Sequence, residues 1–194
     1  MLELGCGTGN FLQSILTNFP KARCVVFDYS TDMLEYAAQK VARYSDRAEF
    51  HQRDLHDGIP PRFGQFHLVS SFSTIHHLFD DNKTRLFKEI YDVLQSDGWF
   101  FLIDPMSTRF DNDVFKHFRH RQHHRLDVRF KRAGVDIRDA ERINTMVSQV
   151  SDDSPEKDRI ADFAAHMEWL NEAGFRSVDH IWHLFMEHFI ISRK

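Results

Sequence analysis

The chain is short of the features that would carry it out of a reducing, aqueous compartment. Two cysteines, Cys6 and Cys24, among 194 residues cannot make a framework of bridges. No apolar run approaches the ~18 residues that a spanning helix needs, so no membrane partner is expected. No leader-like segment is read at the start, and a cytoplasmic protein is the expectation. Basic charge is not in excess either. Lys and Arg number 25 against 29 Asp and Glu, a formal net charge of −4 that argues against a wholesale nucleic-acid coat. No internal repeat is present. With 42% hydrophobic residues and 19 phenylalanines, the chain can bury the core of a single domain spanning 1–194.

What is there begins at residue 2. Leu2-Glu3-Leu4-Gly5-Cys6-Gly7-Thr8-Gly9-Asn10-Phe11 runs from a strand-like start into glycines at every second position, then into a helical pattern. Physically this is a strand, a tight turn whose backbone can approach a ligand closely, and a helix N-terminus. The dinucleotide fingerprint needs glycine or alanine at position 10, where Asn10 stands, so a nicotinamide cofactor is not expected. A second apolar run, 23–28, ends in Asp28 about 20 positions after the glycines, where a carboxylate can accept hydrogen bonds from both hydroxyls of a ribose. Its ordinary alternative is a helix N-cap or a turn residue. Ser30 or Thr31 then caps a helix.

These residues resemble motif I and the following stations of the class I S-adenosylmethionine-dependent methyltransferases. The match includes Asp28-Tyr29-Ser30-Thr31-Asp32-Met33-Leu34, the acidic-apolar pair Asp54-Leu55, and the strand 66–72 running into Ser73-Thr74-Ile75-His76-His77-Leu78. The resemblance implies S-adenosylmethionine as cofactor. It would be held by Glu3, Gly5, Cys6, Gly7, Gly9 and Asn10 around the first turn, and by Asp28 on the ribose. Tyr29 and Met33 would flank ribose and adenine, Asp54 and Leu55 would read the adenine, and Ser71 and Phe72 would lie towards the methionine end. For Met33, plain core packing is an equal alternative. Relatives carry a helical segment ahead of the first strand. It is missing here, which implies either a shortened chain or a pocket open on that side.

Along the chain, strands are expected at 2–5, 23–28, 47–51, 66–71 and 98–103, and helices at 10–18, 31–43 and 81–95. Buried strands alternating with amphipathic helices imply an α/β fold, Rossmann-like and doubly wound, with a mostly parallel sheet. Residues 52–65 are too rich in breakers for regular structure. Helices are expected around 111–132 and 136–148, a polar linker at 151–155 and a helix at 156–173 that Gly174 stops. Two closing strands suggest an antiparallel C-terminal edge. The stretch 106–168 interrupts the alternation and is expected to form a helical lid over the acceptor pocket.

The chemistry follows from the cofactor. A sulfonium methyl is already activated, so the protein must align acceptor and methyl and exclude water, with a base only where the nucleophile loses a proton. His76 and His77 are the candidates for that base, with a helix cap or packing as their alternative. Asp104 is a further pocket candidate. From Lys116 to Arg132 there are seven Lys or Arg, four His and one acid, Asp127. This is either a basic lid for an anionic acceptor (phosphate, carboxylate or an RNA backbone) or a solvated helix face. His117, His120 and His124 would share a helical face but lack a carboxylate or cysteine nearby, and no metal centre is expected. A small-molecule acceptor is the expected partner and nucleic acid the less favoured one; the oligomeric state is left open. Two other readings remain: an enzyme of the same fold like carboxy-S-adenosylmethionine synthase or a tRNA-modification enzyme, for which Arg142 is the only candidate arginine, and a non-catalytic binding protein.

Overall fold

Period-two burial in the strands places one set of side chains on each face of a single sheet. In the computed structural model, which describes residues 1–107, 157–184 and 186–194, the order is β1 (Leu2–Leu4), α1 (Asn10–Asn18), β2 (Cys24–Asp28), α2 (Thr31–Lys40), β3 (Ala48–Gln52), β4 (Phe66–Phe72), α3 (Asp80–Val93), β5 (Leu94–Pro105), α4 (Phe163–Ala173), β6 (Ser177–Leu184) and β7 (Glu187–Arg193). The sheet order is β3-β2-β1-β4-β5-β7-β6. The first five strands pair parallel, while β7 inserts antiparallel between β5 and β6. This is the doubly wound, mostly parallel sheet with an antiparallel C-terminal edge that the alternation implies.

The two faces bury separate clusters. Leu2, Leu4, Phe27, Phe100 and Leu102 pack with Leu86, Phe87 and Ile90 of α3 and Leu170 of α4. Cys24 and Val26 pack on the other face with Leu12 and Leu16 of α1 and Leu34 and Ala37 of α2. Both cysteines are free and buried. Ser30 caps α2 through Oγ, which accepts from the Met33 N–H at 3.3 Å. Among the described residues no helix is long and apolar enough to cross a membrane.

Three element boundaries depart from the sequence expectation. α2 stops at Lys40, and 42–47 turns as a 3-10 segment with Tyr44 out of helical geometry. There Arg47 donates to four carbonyls at and after the end of α1, those of Leu16, Phe19, Pro20 and Ala22. β5 begins at Leu94, before Gly98, so Leu94 is a strand residue rather than the last apolar position of α3. The helix expected over 156–173 starts only at Phe163. Ser107 N–H donates to Ala161 and Phe163 N–H donates to Ser107, which commits 157–162 to a strap along the end of β5. Asp162 then caps α4 by accepting from Ala164 N–H at 2.8 Å.

The expected lid of 106–168 is thereby trimmed at both ends. Met106 is core, and 163–168 open a helix whose Leu170 and Ala173 are core. The remainder, with the basic run 116–132, the expected helices and the linker 151–155, lies outside the described residues.

Phe100 is fully buried at mid-sheet, between Phe87 and Phe175. Phe100→Ala is expected to lower the unfolding free energy by about 3–5 kcal/mol in urea titration, since removing a buried aromatic loses its transfer energy and leaves a cavity.

Candidate active site

The strand order reverses direction of growth between β1 and β4, and ligands in such sheets bind in the crevice outside the carboxyl ends there. A cavity of about 590 Å³ sits at that point. Each of its walls is the segment that follows one strand: Gly5–Thr8 with Asn10 and Phe11 after β1, Asp28–Ser30 with Met33 after β2, Arg53–His56 after β3, and Phe72–Thr74 with His77 and Leu78 after β4.

The glycine turn is shaped by its neighbours. Gly5 has φ +74° and any Cβ there would collide with the Thr74 side chain, so the turn closes directly on the segment after β4. Gly7 has φ +47°, and a Cβ there would meet no protein atom within 4 Å. Its space is therefore cavity, which a backbone without a side chain leaves for a ligand to approach. Asp28 fixes the turn: one carboxylate oxygen accepts from Gly7 N–H and the other from Ser30 N–H, both at 2.9 Å. Each oxygen keeps a lone pair for a ligand hydroxyl. Tyr29 and Met33 are half-exposed at the rim, and Phe11 meets Phe72 edge-on at 4.4 Å to make an apolar wall.

Glu3 is 2% exposed, and its Oε2 has no hydrogen-bond partner among the described residues. Burial, then the nearby charge of Asp28, pushes its carboxyl up to about 8. Asp54 accepts from both the N–H and the ring Nδ1 of His56 at 2.8 Å. This caps the short turn Leu55–Asp57, and Asp54 itself lines the cavity.

Beyond β4, the short turn Ile75–His77 presents two imidazoles tilted at 41° to one another with centroids 4.0 Å apart. His77 lines the cavity, while His76 is buried behind it. His76 Nδ1 lies 3.0 Å from Asp104 Oδ1, which also accepts from Thr74 N–H at 2.9 Å. Burial alone would depress His76, but the hydrogen bond and charge of Asp104, helped by Asp158 and Glu187, outweigh it and hold it above its ordinary value. Burial and the His76 charge hold His77 below.

A family model described as a methyltransferase domain matches residues 1–98, half of the chain. The chain belongs to that family. Among curated relatives, malonyl-[acyl-carrier protein] O-methyltransferase 1 of Ilyobacter polytropus is 34% identical over 98 residues, covering 50% of this chain and 35% of that protein. The malonyl-[acyl-carrier protein] O-methyltransferase of Priestia megaterium is 34% identical over 98 residues, covering 50% of this chain and 34% of it. The chain thus spans about a third of the length of these two relatives. The fold is also that of human N-acetylserotonin methyltransferase, solved with S-adenosylmethionine, at TM-score 0.62 and 16% identity over the whole of this chain and 47% of that one. A Planctomyces limnophilus O-methyltransferase family 2 protein, solved with apigenin, gives TM-score 0.65 at 18% identity, over the whole of this chain and 50% of that one. Class I methyltransferases are therefore the superfamily in which the cavity is to be read.

Of the residues singled out from the sequence of this methyltransferase domain, Glu3, Gly5, Cys6, Gly7, Asn10, Asp28, Tyr29, Met33, Asp54, Leu55, Phe72 and His77 come together around the cavity. Gly9, Ser71, His76 and Asp104 do not line it. Gly9 (φ +71°) packs on Ala37, Ser71 donates to Leu4 O from inside the sheet, and Asp104 is buried beneath the turn. The lining residues Thr8, Phe11, Ser30, Arg53, His56, Ser73, Thr74 and Leu78 were not singled out as site residues. All of them lie within two positions of one that was, so adjacency to the stations was the available signal.

The Glu3 carboxyl takes up a proton on folding, because its folded pKa lies above the ordinary value of 4.5. Its contribution to stability is fully present below about pH 4.5 and lost as pH rises through about 8. Urea stability of the ligand-free protein minus that of Glu3→Gln is expected to fall by roughly 1–3 kcal/mol across this window, at up to ~1.4 kcal/mol per unit. A flat difference would remove the raised carboxyl.

Proposed function

We propose that this domain binds S-adenosylmethionine in the cavity and transfers its methyl group to an oxygen of a small-molecule or carrier-tethered acceptor. The observation that carries this reading is the Asp28 carboxylate, locked between the Gly7 and Ser30 amides at the point where a ribose diol would be read. The other residues fit the same ligand. The open face of Gly7 gives room for close backbone approach, and the unpartnered, buried Glu3 oxygen suits a cationic amino-acid end. Tyr29 and Met33 offer half-exposed apolar surface at the rim for a planar base, and Asp54 with Leu55 stands beside it as its reader.

S-adenosylmethionine supplies a methyl already activated by its sulfonium for in-line displacement. The chain's part is to hold donor and acceptor in line and keep water out, which the apolar pair Phe11–Phe72 and Leu78 support on the acceptor side. His76 and His77 stand where the acceptor's proton would be handled, His77 at the cavity and His76 held from behind by Asp104. Oxygen is the acceptor atom we favour because the curated relatives are named O-methyltransferases. We place the activity in the cytoplasm.

Calorimetric titration with S-adenosylhomocysteine, with NAD as the control, tests the cofactor. Micromolar binding of the first alone is expected. Asp28→Ala should raise its Kd by roughly 10–150-fold, the equivalent of losing charge-assisted hydrogen bonds worth about 1.5–3 kcal/mol. An unchanged Kd in that variant would sink the assignment.

A further inference from the structure

The two histidines after β4 have a third partner that no local pattern indicates. Asp158, in the strap ahead of α4, puts Oδ1 3.4 Å from His76 Nε2 and 3.6 Å from His77 Nδ1. All three donor atoms lie within 4.8 Å of one another. Hydrogen bonds between such groups run at about 2.7–3.2 Å, so both separations are long for direct pairing. Two ligands sharing a tetrahedral zinc, with bonds of about 2.0–2.1 Å, stand roughly 3.4 Å apart. The two separations from Asp158 match that spacing, and the three atoms are close enough for small side-chain shifts to bring them round a common centre.

The surroundings are those of a metal ligand set. Asp104 Oδ1 takes the hydrogen of His76 Nδ1 at 3.0 Å, which in the neutral ring leaves Nε2 as a lone pair facing Asp158. A carboxylate behind a ligating imidazole fixes its tautomer and orientation. The strap that carries Asp158 is fastened by its neighbour: Arg159 N–H donates to His76 O at 2.8 Å and Arg159 Nη1 to His77 O at 2.7 Å. The Lys157 carbonyl lies 3.4 Å from His77 Nδ1 and competes for that nitrogen only when it carries the hydrogen. Asp104, Asp158 and Glu187 bring negative charge to His76. Of the cations nearby, Lys83 bonds Asp80 and the Arg159 carbonyl, and Arg159 lies over the Phe79 ring.

We propose that His76 Nε2, His77 Nδ1 and Asp158 bind a divalent cation of the zinc type, positioned by Asp104, beside the cavity that His77 lines, with an acceptor hydroxyl or carboxyl oxygen as fourth ligand. This departs from the sequence expectation of no metal centre, and its acceptor role rests on the cofactor reading above. Three protein ligands with one open position is the catalytic form of a zinc site, which lowers the pKa of a bound hydroxyl. The acceptor's proton leaves to water. The oxygen then carries the charge for attack, and His77 acts as a ligand and not as the base.

The test is calorimetric titration of chelator-stripped protein with zinc chloride, run beside S-adenosylhomocysteine on the same preparations. Unit stoichiometry is expected, with zinc affinity at least tenfold weaker in Asp158→Asn and in His76→Ala, and several-fold or more weaker in Asp104→Asn. Half-exposed Asp158 is the substitution least able to disturb the fold. S-adenosylhomocysteine affinity should be unchanged in Asp158→Asn, which shows that variant folded. Cobalt in place of zinc should give the visible bands of a tetrahedral site in the wild type and not in Asp158→Asn. No zinc binding, or equal zinc affinity in wild type and Asp158→Asn, overturns the metal site even where S-adenosylhomocysteine binds. Zinc binding lost in the variants without any S-adenosylhomocysteine binding supports the site and overturns the cofactor reading instead.

Discussion

The end of β2 is the point on which the cavity hangs. Asp28 spends both carboxylate oxygens on backbone amides, one in the glycine turn and one at the start of α2. Its own carbonyl accepts from Arg53 N–H, and the carbonyl before it, Phe27, accepts from Gly5 N–H, both at 2.8 Å. Three segments that follow three different strands are thus tied to two consecutive residues. Charge-assisted bonds of this type are worth about 1.5–3 kcal/mol each. They hold the turn in left-handed backbone geometry at Gly5, Gly7 and Gly9, which the chain would otherwise leave. A carboxylate in the cavity wall is therefore also the clamp that shapes that wall.

Against that well-satisfied carboxylate stand two others that are not. Glu3 and Asp104 are buried at the ends of β1 and β5, and each has one oxygen without a partner among the described residues. Burial raises Glu3, and burial together with the Asp104 charge raises Glu187. A fold that only needed stability would not leave such groups under a crevice, since each carries a desolvation cost. Positive charge would relieve both, Glu3 at the cavity and Asp104 behind the histidines.

The sequence is most legible where a site is made within a few residues. The glycine turn, Asp28 and the Asp54-Leu55 pair are local chemistry at fixed spacing from strands whose apolar runs are themselves readable, and they converge as expected. The reading falters where the deciding contact is distant. Periodicity alone carries a helix back to 156, but the backbone of 161–163 is claimed by Ser107, just past the end of β5. Leu94 continues the spacing of α3, yet its partner is Phe66 on β4, and pairing wins over periodicity. His76 and His77 read as two histidines in a turn. That one has a buried aspartate 28 positions on, and that both face Asp158, is set by how β5 and the strap close on β4.

This difference divides the site into two halves with different constraints. The glycine-turn side depends on short-range geometry, so changing it means altering a strand and its own turn together. The histidine side is assembled from three places, the turn after β4, the end of β5 and the strap before α4, which meet only through tertiary contacts. There the strap at 161–163 pairs with Ser107, and Arg159 fastens it to the His76–His77 turn. The family model's match, residues 1–98, takes in both the Asp28 clamp and the turn after β4, and ends before the close of β5 and the strap.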